Sequence, residues 1–329
     1  MNLSLSGLLM ASVSVYAAGC IFYVYRVRGR VRYSSLQQYL RKSWPIFAPL
    51  NCILYAATPK RARRPVSDAD YLPDIGVIRA NWKTIRDEAV ALDAAGGLDS
   101  TVAPHSIGYF DLGFRTFFKR GWKKFYLKWY GDRHPSAQRL CPETVRLLEQ
   151  VPGIRAAMFS LLPAGAELSQ HSDPLACSFR YHLGLRTPNS ERCFINVDGE
   201  NLVWRDGEDF VFDETYPHHA KNGTDGPRLI LMCDVERPMN LAGRSFNKFY
   251  ARIAKEMRVP NTAEDDRGLL TRLFAAVAPL RERALKLKGS RRRTYMLLKM
   301  ALNTTLLSLC LLPVYAAMKM LERGLDRIM

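Results

Sequence analysis

The stretch QHSDPLACSFRYHLGL, residues 170–185, sets His171 and Asp173 two positions apart, and Arg180 and His182 two positions apart. In an extended chain the side chains of residues i and i+2 look the same way. His171 and Asp173 then offer an imidazole and a carboxylate to one point. A third ligand has to come from another strand, and FDETYPHHAKN, residues 212–222, supplies His218 and His219. Two histidines and a carboxylate on one face, with coordination positions left open, suit a non-haem Fe(II) centre. The same donors also suit zinc. What favours iron is a cation downstream: Arg228 opens the apolar run RLILMCDV. An arginine buried at the mouth of a barrel can clamp a dicarboxylate cosubstrate in bidentate fashion. The ordinary alternatives are a surface-loop histidine with a capping aspartate at 171, a satisfied strand histidine at 182 and a solvent-facing strand end at 228. Spacing alone leaves them open.

The elements that must position these side chains are short strands. Between residues 154 and 236 the runs AAMFSLL, SFRYHLGL, RCFINV, NLVW, DFVFD and RLILMCDV are separated by turn signals. Asp198-Gly199 and Asp206-Gly207 lie between apolar runs, a hairpin signature. Six or more such strands at regular spacing predict an antiparallel double-sheet barrel, a double-stranded β-helix or jelly roll. Its mouth can hold a metal or a ligand. Helical periodicity marks 74–96, which ends at Gly96-Gly97, and PETVRLLEQVPG at 142–153 reads as a short helix with Pro142 at its first position. The fold class expected is mainly β with flanking helices.

The chain of 329 residues is 48% hydrophobic, enough for a sizeable core. Its formal net charge of +17 points to an anionic partner. Seven cysteines form no CxxC pair, which fits a reducing compartment better than a disulfide framework. Residues 3–25 carry no charge and are followed by RVRGRVR at 26–32. A helix of that length crosses a bilayer, and the flanking arginines place the following residues on the cytoplasmic side. A second uncharged run, 300–318, can span or lie at the interface, and the basic run RERALKLKGSRRR at 281–293 precedes it. Basic residues and aromatics interleave at 117–130, where Phe117, Phe118, Trp122, Phe125, Tyr126, Trp129 and Tyr130 occur. They read either as an interfacial contact or as the core face of a strand. RRPVSDADYLPD, 63–74, reads as a linker. The organisation expected is an anchor at 1–25, a basic juxtamembrane segment and linker at 26–73, and a jelly-roll domain with leading helices at 74–240. A basic helical region follows at 241–295, then a second membrane-associated or transmembrane helix and tail at 296–329. Because much of the basic charge lies beside the apolar segments, anionic membrane lipids are the expected partner, rather than nucleic acid, and no obligate protein partner is evident.

HSDP, RYHLGL, FDETYPHH and RLIL resemble, in order and spacing, the aspartyl/asparaginyl β-hydroxylase family of Fe(II)- and 2-oxoglutarate-dependent dioxygenases. DLGFRTFFKRGWKKFYLKWYGD, HPSAQRLCPETV, PNSERCFINVDGE and CDVERPM are similar to its bacterial membrane branch, the lipid A acyl-chain hydroxylases. The resemblance covers roughly residues 20–240. It implies Fe(II), 2-oxoglutarate and O2, with His171, Asp173 and His218 as iron ligands and His219 as a neighbour facing away. It also implies Arg228 as the clamp on the distal carboxylate of 2-oxoglutarate, with Ser160, Arg180 and His182 helping to hold that cosubstrate. Some peptide-modifying members lack the acid of the His-x-Asp pair, so Asp173 favours the lipid branch. The activity implied is 2-hydroxylation of a secondary acyl chain of lipid A, or of a related phosphorylated glycolipid, at the cytoplasmic face of the bacterial inner membrane. Hydroxylation of protein Asp or Asn side chains and a non-catalytic membrane-bound binding module are the alternatives.

Overall fold

The computed structural model describes residues 5–99, 106–109, 111, 113–114 and 121–325. In chain order the elements are α1 (Leu5–Phe22), α2 (Leu36–Lys42), α3 (Ala48–Ala57), β1 (Val66–Ser67), α4 (Gly76–Ala80) and α5 (Trp82–Ala94). Then come β2 (Lys123–Trp129), β3 (Asp132–Arg133), α6 (Pro135–Leu140), α7 (Pro142–Glu149), β4 (Ile154–Leu162), β5 (Glu167–His171) and β6 (Ser178–Arg186). β7 (Cys193–Val197), β8 (Glu200–Val203), β9 (Asp209–Phe212), β10 (His218–Asn222) and β11 (Arg228–Glu236) complete the strands, and α8 (Leu241–Lys255), α9 (Leu269–Ser290) and α10 (Arg292–Leu325) follow.

The strands form two antiparallel sheets, a larger one ordered β1-β9-β6-β11-β4-β2-β3 and a smaller one ordered β5-β10-β7-β8. This is the expected jelly roll. Period-two alternation divides each central strand between two cores. Ala157, Phe159 and Leu161 of β4, with Tyr181, Leu183, Leu229 and Leu231, bury against the helices, including Ile85, Ala89 and Leu92 of α5 and Leu147 and Leu148 of α7. Ala156, Met158 and Leu162 face the other way, with Ile230, Met232 and Phe212, and meet Cys193, Ile195, Val197 and Ala220 of the smaller sheet. Each fully buried Leu, Ile, Val, Phe or Met among them contributes roughly 1.5–3 kcal/mol.

Asp198 and Gly199, both at positive φ (50° and 95°), turn β7 into β8 as expected, because a two-residue primed turn matches strand twist. The second Asp-Gly differs from expectation. β8 pairs with β7 in the smaller sheet, whereas β9 pairs with β6 and β1 in the larger, so Asp206-Gly207 carries the chain between sheets. That crossing passes over Gly184, where a Cβ would lie 1.9 Å from the Arg205 carbonyl oxygen.

Residues 63–74 are not a linker either. Val66 and Ser67 form edge strand β1 against β9, and Leu72 and Ile75 are buried in the main core. The preceding basic segment is also folded in. Arg28 is buried and donates to the Asp213 carboxylate at 2.9 Å, and Arg237 binds the other oxygen of that carboxylate at 2.7 Å. Trp122, Phe125, Tyr126 and Trp129 are buried and Tyr130 is half-buried against the same core, so the described aromatics of that stretch face the interior; Phe117 and Phe118 lie outside the described residues.

The chain divides into two compact units, Cys20–Arg272, and Met1–Gly19 with Leu273–Met329. Among the described residues one helix is long and apolar enough to cross a membrane, Gly7–Val27, with mean hydropathy 1.8. The run 300–318 lies within α10, and most of its side chains are outside the described set.

Candidate metal centre

His171 ends β5 and His218 begins β10, and the two are paired across the smaller sheet. Their rings lie 4.2 Å apart between centroids. Asp173 stands just beyond β5, held by its backbone N–H, which donates to the Glu214 carbonyl at 2.8 Å. Its Oδ1 lies 3.7 Å from Nε2 of His171. One ligand atom from each of the three residues falls within 4.8 Å of the others. Nδ1 of His171 faces the Ser169 carbonyl at 3.0 Å, and Nδ1 of His218 faces the Tyr216 carbonyl at 2.9 Å. A carbonyl can only accept, so each Nδ1 carries the proton and each Nε2 presents a lone pair. Burial lowers both imidazole pKa values to about 4, which keeps them neutral as ligands must be. His219 faces the other way, its ring 6.1 Å from that of Phe194.

Behind the three residues lies a guanidinium that sequence spacing placed but did not explain. Arg180 on β6 donates from Nη2 to Oδ2 of Asp173 at 3.0 Å and from Nε to Oε2 of Glu214 at 2.6 Å, and its Nε is 3.3 Å from Asp234 Oδ1. Burial raises the pKa of both Glu214 and Asp234 above the usual carboxylate range, and the charge of Arg180 offsets only part of that rise. The described polar contacts of Arg180 are thus with three of the protein's own carboxylates and, from Nη1, with the sulfur of Met232 at 3.5 Å. Its geometry orients Asp173.

A second group of donors lines the larger sheet on the same inner face. Ile230 and Met232 of β11 are level with Ser160 and His182 on the flanking strands, and Arg228 begins the same alternate row. Arg228 is 1% exposed, so the solvent-facing alternative does not hold. Its guanidinium stacks over Trp204 at 4.3 Å and lies 5.3 Å from the centre of Trp122. Its Nε and Nη2, the Ser160 hydroxyl and Nε2 of His182 are all buried, with no hydrogen-bond partner among the described residues. Nδ1 of His182 accepts from the Trp204 indole at 3.2 Å, so its Nε2 carries a proton. Burial, then the nearby Arg228 and Arg180, keep that imidazole neutral. Phe212 connects the two groups, 5.2 Å from His182 and 5.6 Å from His218. Buried donors without acceptors are costly, and one of them is charged. The arrangement suits an anionic ligand whose carboxylate meets Arg228 beside the three-residue cluster.

Sequence reasoning missed Trp204, Phe212, Glu214 and Asp234. Glu214 stands within FDETYPHH and Asp234 within RLILMCDV, but the pairing of β6 with β11 and β9 that brings them to Arg180 has no local signal.

A double-stranded β-helix with two histidines and a carboxylate at its mouth has the donor set that metal-binding jelly rolls use. Residues 79–238 match the Aspartyl/Asparaginyl beta-hydroxylase family description. An ornithine lipid ester-linked acyl 2-hydroxylase of Rhizobium tropici is 34% identical over 127 residues, 38% of this chain and 45% of the relative. The human aspartyl/asparaginyl beta-hydroxylase is 32% identical over 177 residues, 52% of this chain and 22% of the relative. The chain thus spans less than half the length of either relative. Among solved structures, a Pseudomonas putida prolyl-4-hydroxylase aligns with 56% of this chain and 100% of its own, at 19% identity and a TM-score of 0.35.

Proposed function

We propose that this protein is a membrane-anchored hydroxylase, dependent on Fe(II) and 2-oxoglutarate, that acts on carbon 2 of a lipid acyl chain. The observation that carries this reading is the convergence of His171, Asp173 and His218 beside the unsatisfied donors of Arg228, Ser160 and His182. His171, Asp173 and His218 would hold the metal, since both Nε2 lone pairs and one carboxylate oxygen meet at one place. Bound there with 2-oxoglutarate, Fe(II) supplies the activation of O2 that inserts an oxygen atom into a C–H bond.

The chain's own residues do the rest. Arg228 clamps the distal carboxylate, and its two tryptophan neighbours exclude water from that pair. Ser160 and the Nε2–H of His182 donate to the remaining cosubstrate oxygens. Arg180, braced by Glu214 and Asp234, keeps Asp173 aimed at His171. No side chain needs to act as a general acid or base.

The substrate we favour is a secondary acyl chain of lipid A, or of a related phosphorylated glycolipid, at the cytoplasmic face of the bacterial inner membrane. The charge of +17 suits phosphorylated headgroups, and the helix Gly7–Val27 suits an anchor. Similarity to the Rhizobium tropici acyl 2-hydroxylase supports a second reading, in which the acyl chain belongs to an aminolipid. Mass spectrometry of lipids from cells with and without the gene separates them. The first reading expects one added oxygen on lipid A, the second on the aminolipid. Unchanged lipids of both kinds, under aerobic and iron-replete conditions, would reject acyl hydroxylation.

A further inference from the structure

Large apolar side chains left exposed on the unit Cys20–Arg272 are unevenly placed. Among the described residues, Phe22, Tyr23, Val27, Leu36, Leu40, Trp44, Ile46 and Ile53 precede the sheets, and Leu241, Phe249, Ile253 and Leu269 follow them. The sheets and their own helices expose only Leu140. The two groups are joined in space, because α3 and α8 pack together. Leu54, Tyr55 and Ala57 share a small core with Met239, Phe246 and Tyr250, and the Asn240 N–H donates to the Ala57 carbonyl at 3.0 Å. Leu36 and Leu40 lie one turn apart on α2, Trp44 stands just past its end, and these three with Ile46 and Ile53 are 46–71% exposed. An apolar concentration of this kind on a water-soluble face marks a contact surface.

Charge identifies what the surface meets. Residues 20–64 contain ten arginines and lysines and no aspartate or glutamate, and residues 241–255 contain four and none. Arg28 is buried on Asp213, whereas Arg26, Arg30, Arg41, Lys248 and Arg252 are exposed. Apolar side chains mixed with cations, and no acid, fit an anionic lipid headgroup layer. The surface also takes in residues 24 and 25 of the same unit, at the end of the apolar run Gly7–Val27. Val24, near its end, packs on the core shared by α3 and α8, and the Tyr25 ring lies 4.6 Å from that of Tyr39 on α2.

We propose that α2, α3 and α8 form a second membrane contact, which lies on an anionic phospholipid surface and holds the mouth of the metal centre at the headgroup layer. The link to the site is direct. The N–H of Ser172, the residue between His171 and Asp173, donates to the carbonyl of Lys42 at the end of α2 at 2.9 Å, and the Ser172 hydroxyl bonds the Tyr33 hydroxyl at 2.7 Å. The inference deepens the lipid-hydroxylase reading and rests on it for its purpose. Its test reads depth in the bilayer rather than turnover, so either idea can fail alone.

Trp44 is the natural probe, because Trp122, Trp129 and Trp204 are buried and Trp82 is half-buried against the main core, away from this surface. The full-length protein is reconstituted in phosphatidylethanolamine–phosphatidylglycerol vesicles with or without phospholipid brominated at mid-chain. Bromolipid should quench part of the wild-type tryptophan emission, and that part should be lost in Trp44→Phe. Replacing the phosphatidylglycerol by phosphatidylcholine should shrink it. Equal quenching of wild type and variant would overturn the proposal, as would quenching of Trp44 by aqueous iodide but not by bromolipid. Protection from both quenchers that disappears on dilution would assign the face to a second copy of the chain and overturn it too. Circular dichroism of Trp44→Phe checks that the fold is kept.

Discussion

Replacing Arg228 by methionine should stabilise the protein without cosubstrate and abolish the stabilisation that cosubstrate brings. The guanidinium is 1% exposed, and burial pulls its pKa from 12.5 to about 9. At about 1.4 kcal/mol per pKa unit, holding the charge there costs roughly 5 kcal/mol. The contacts with Trp204 and Trp122 return about 1–2 kcal/mol each. Methionine keeps the apolar contact with both rings and carries no charge, so the net gain expected is roughly 1–3 kcal/mol, in the range seen when buried charges are replaced by apolar groups. The folded-state pKa is depressed, so the cost is present in full below pH 9 and shrinks as pH rises toward 12.5. A measurement at neutral pH therefore sees all of it.

The assay is thermal unfolding in detergent, anaerobically and with Fe(II), in a series of 2-oxoglutarate concentrations. Without cosubstrate the Met variant should melt several degrees higher, at about 2–4 °C per kcal/mol for a domain of this size. At a hundredfold excess over Kd, 2-oxoglutarate should add about 2.7 kcal/mol to the wild type and little to the variant. The reasoning is refuted if Arg228→Met melts lower than wild type without cosubstrate yet keeps the full rise with it. That result would make Arg228 a structural cation and leave the other buried donors to bind the ligand.

Three other perturbations test the frame. Asp213→Asn should cost about 3–5 kcal/mol in chemical denaturation, because it leaves Arg28 and Arg237 buried without a counter-charge. Burial raises the Asp213 pKa, but Arg237 and Arg28 outweigh it and hold the carboxyl at about 2, against 3.8 unfolded. The roughly 2 kcal/mol this contributes is present above pH 3.8 and lost as pH falls toward 2; an acid titration that shows no such loss in wild type relative to Asp213→Asn would contradict the pairing. In anaerobic calorimetric titration His218→Ala should lose Fe(II) binding while His219→Ala keeps it, and the reverse pattern would reassign the ligand. Arg180→Lys should weaken Fe(II) affinity about 10–100-fold, since one ammonium cannot hold Asp173, Glu214 and Asp234 together; an affinity equal to wild type would remove the orienting role.

What could be read from the chain, and what could not, follows from the range over which each feature is determined. The period-two runs of β4, β6 and β11 and the Asp198-Gly199 turn depend on neighbouring residues, so they were legible. Asp206-Gly207 has the same dipeptide and leads to a different outcome, because the partner of β9 is the distant β6 and not β8. Residues 63–74 carry turn-forming composition, yet pairing with Phe212 and Val211 makes two of them a strand. Arg28 sits in a run that reads as a solvated basic patch, and only the closure of the fold delivers Asp213 to it.

The candidate site divides the same way. The candidate ligands are legible because metal coordination restricts side-chain type, and His171, Asp173 and His218 are of the types that can coordinate. Supports are constrained by place alone, so Trp204, Glu214 and Asp234 left no pattern. Arg180 shows how the two kinds interact. The resemblance casts it as a cosubstrate contact, but Asp173 supplies a carboxylate within 3.0 Å of its Nη2, and Glu214 and Asp234 take up its Nε. A ligand oxygen would have to compete with three built-in acceptors. Arg228 has two unsatisfied buried nitrogens and no such competitor among the described residues. On the proposed reading an incoming carboxylate would therefore meet Arg228 more readily than Arg180, whose nitrogens already face Asp173, Glu214 and Asp234.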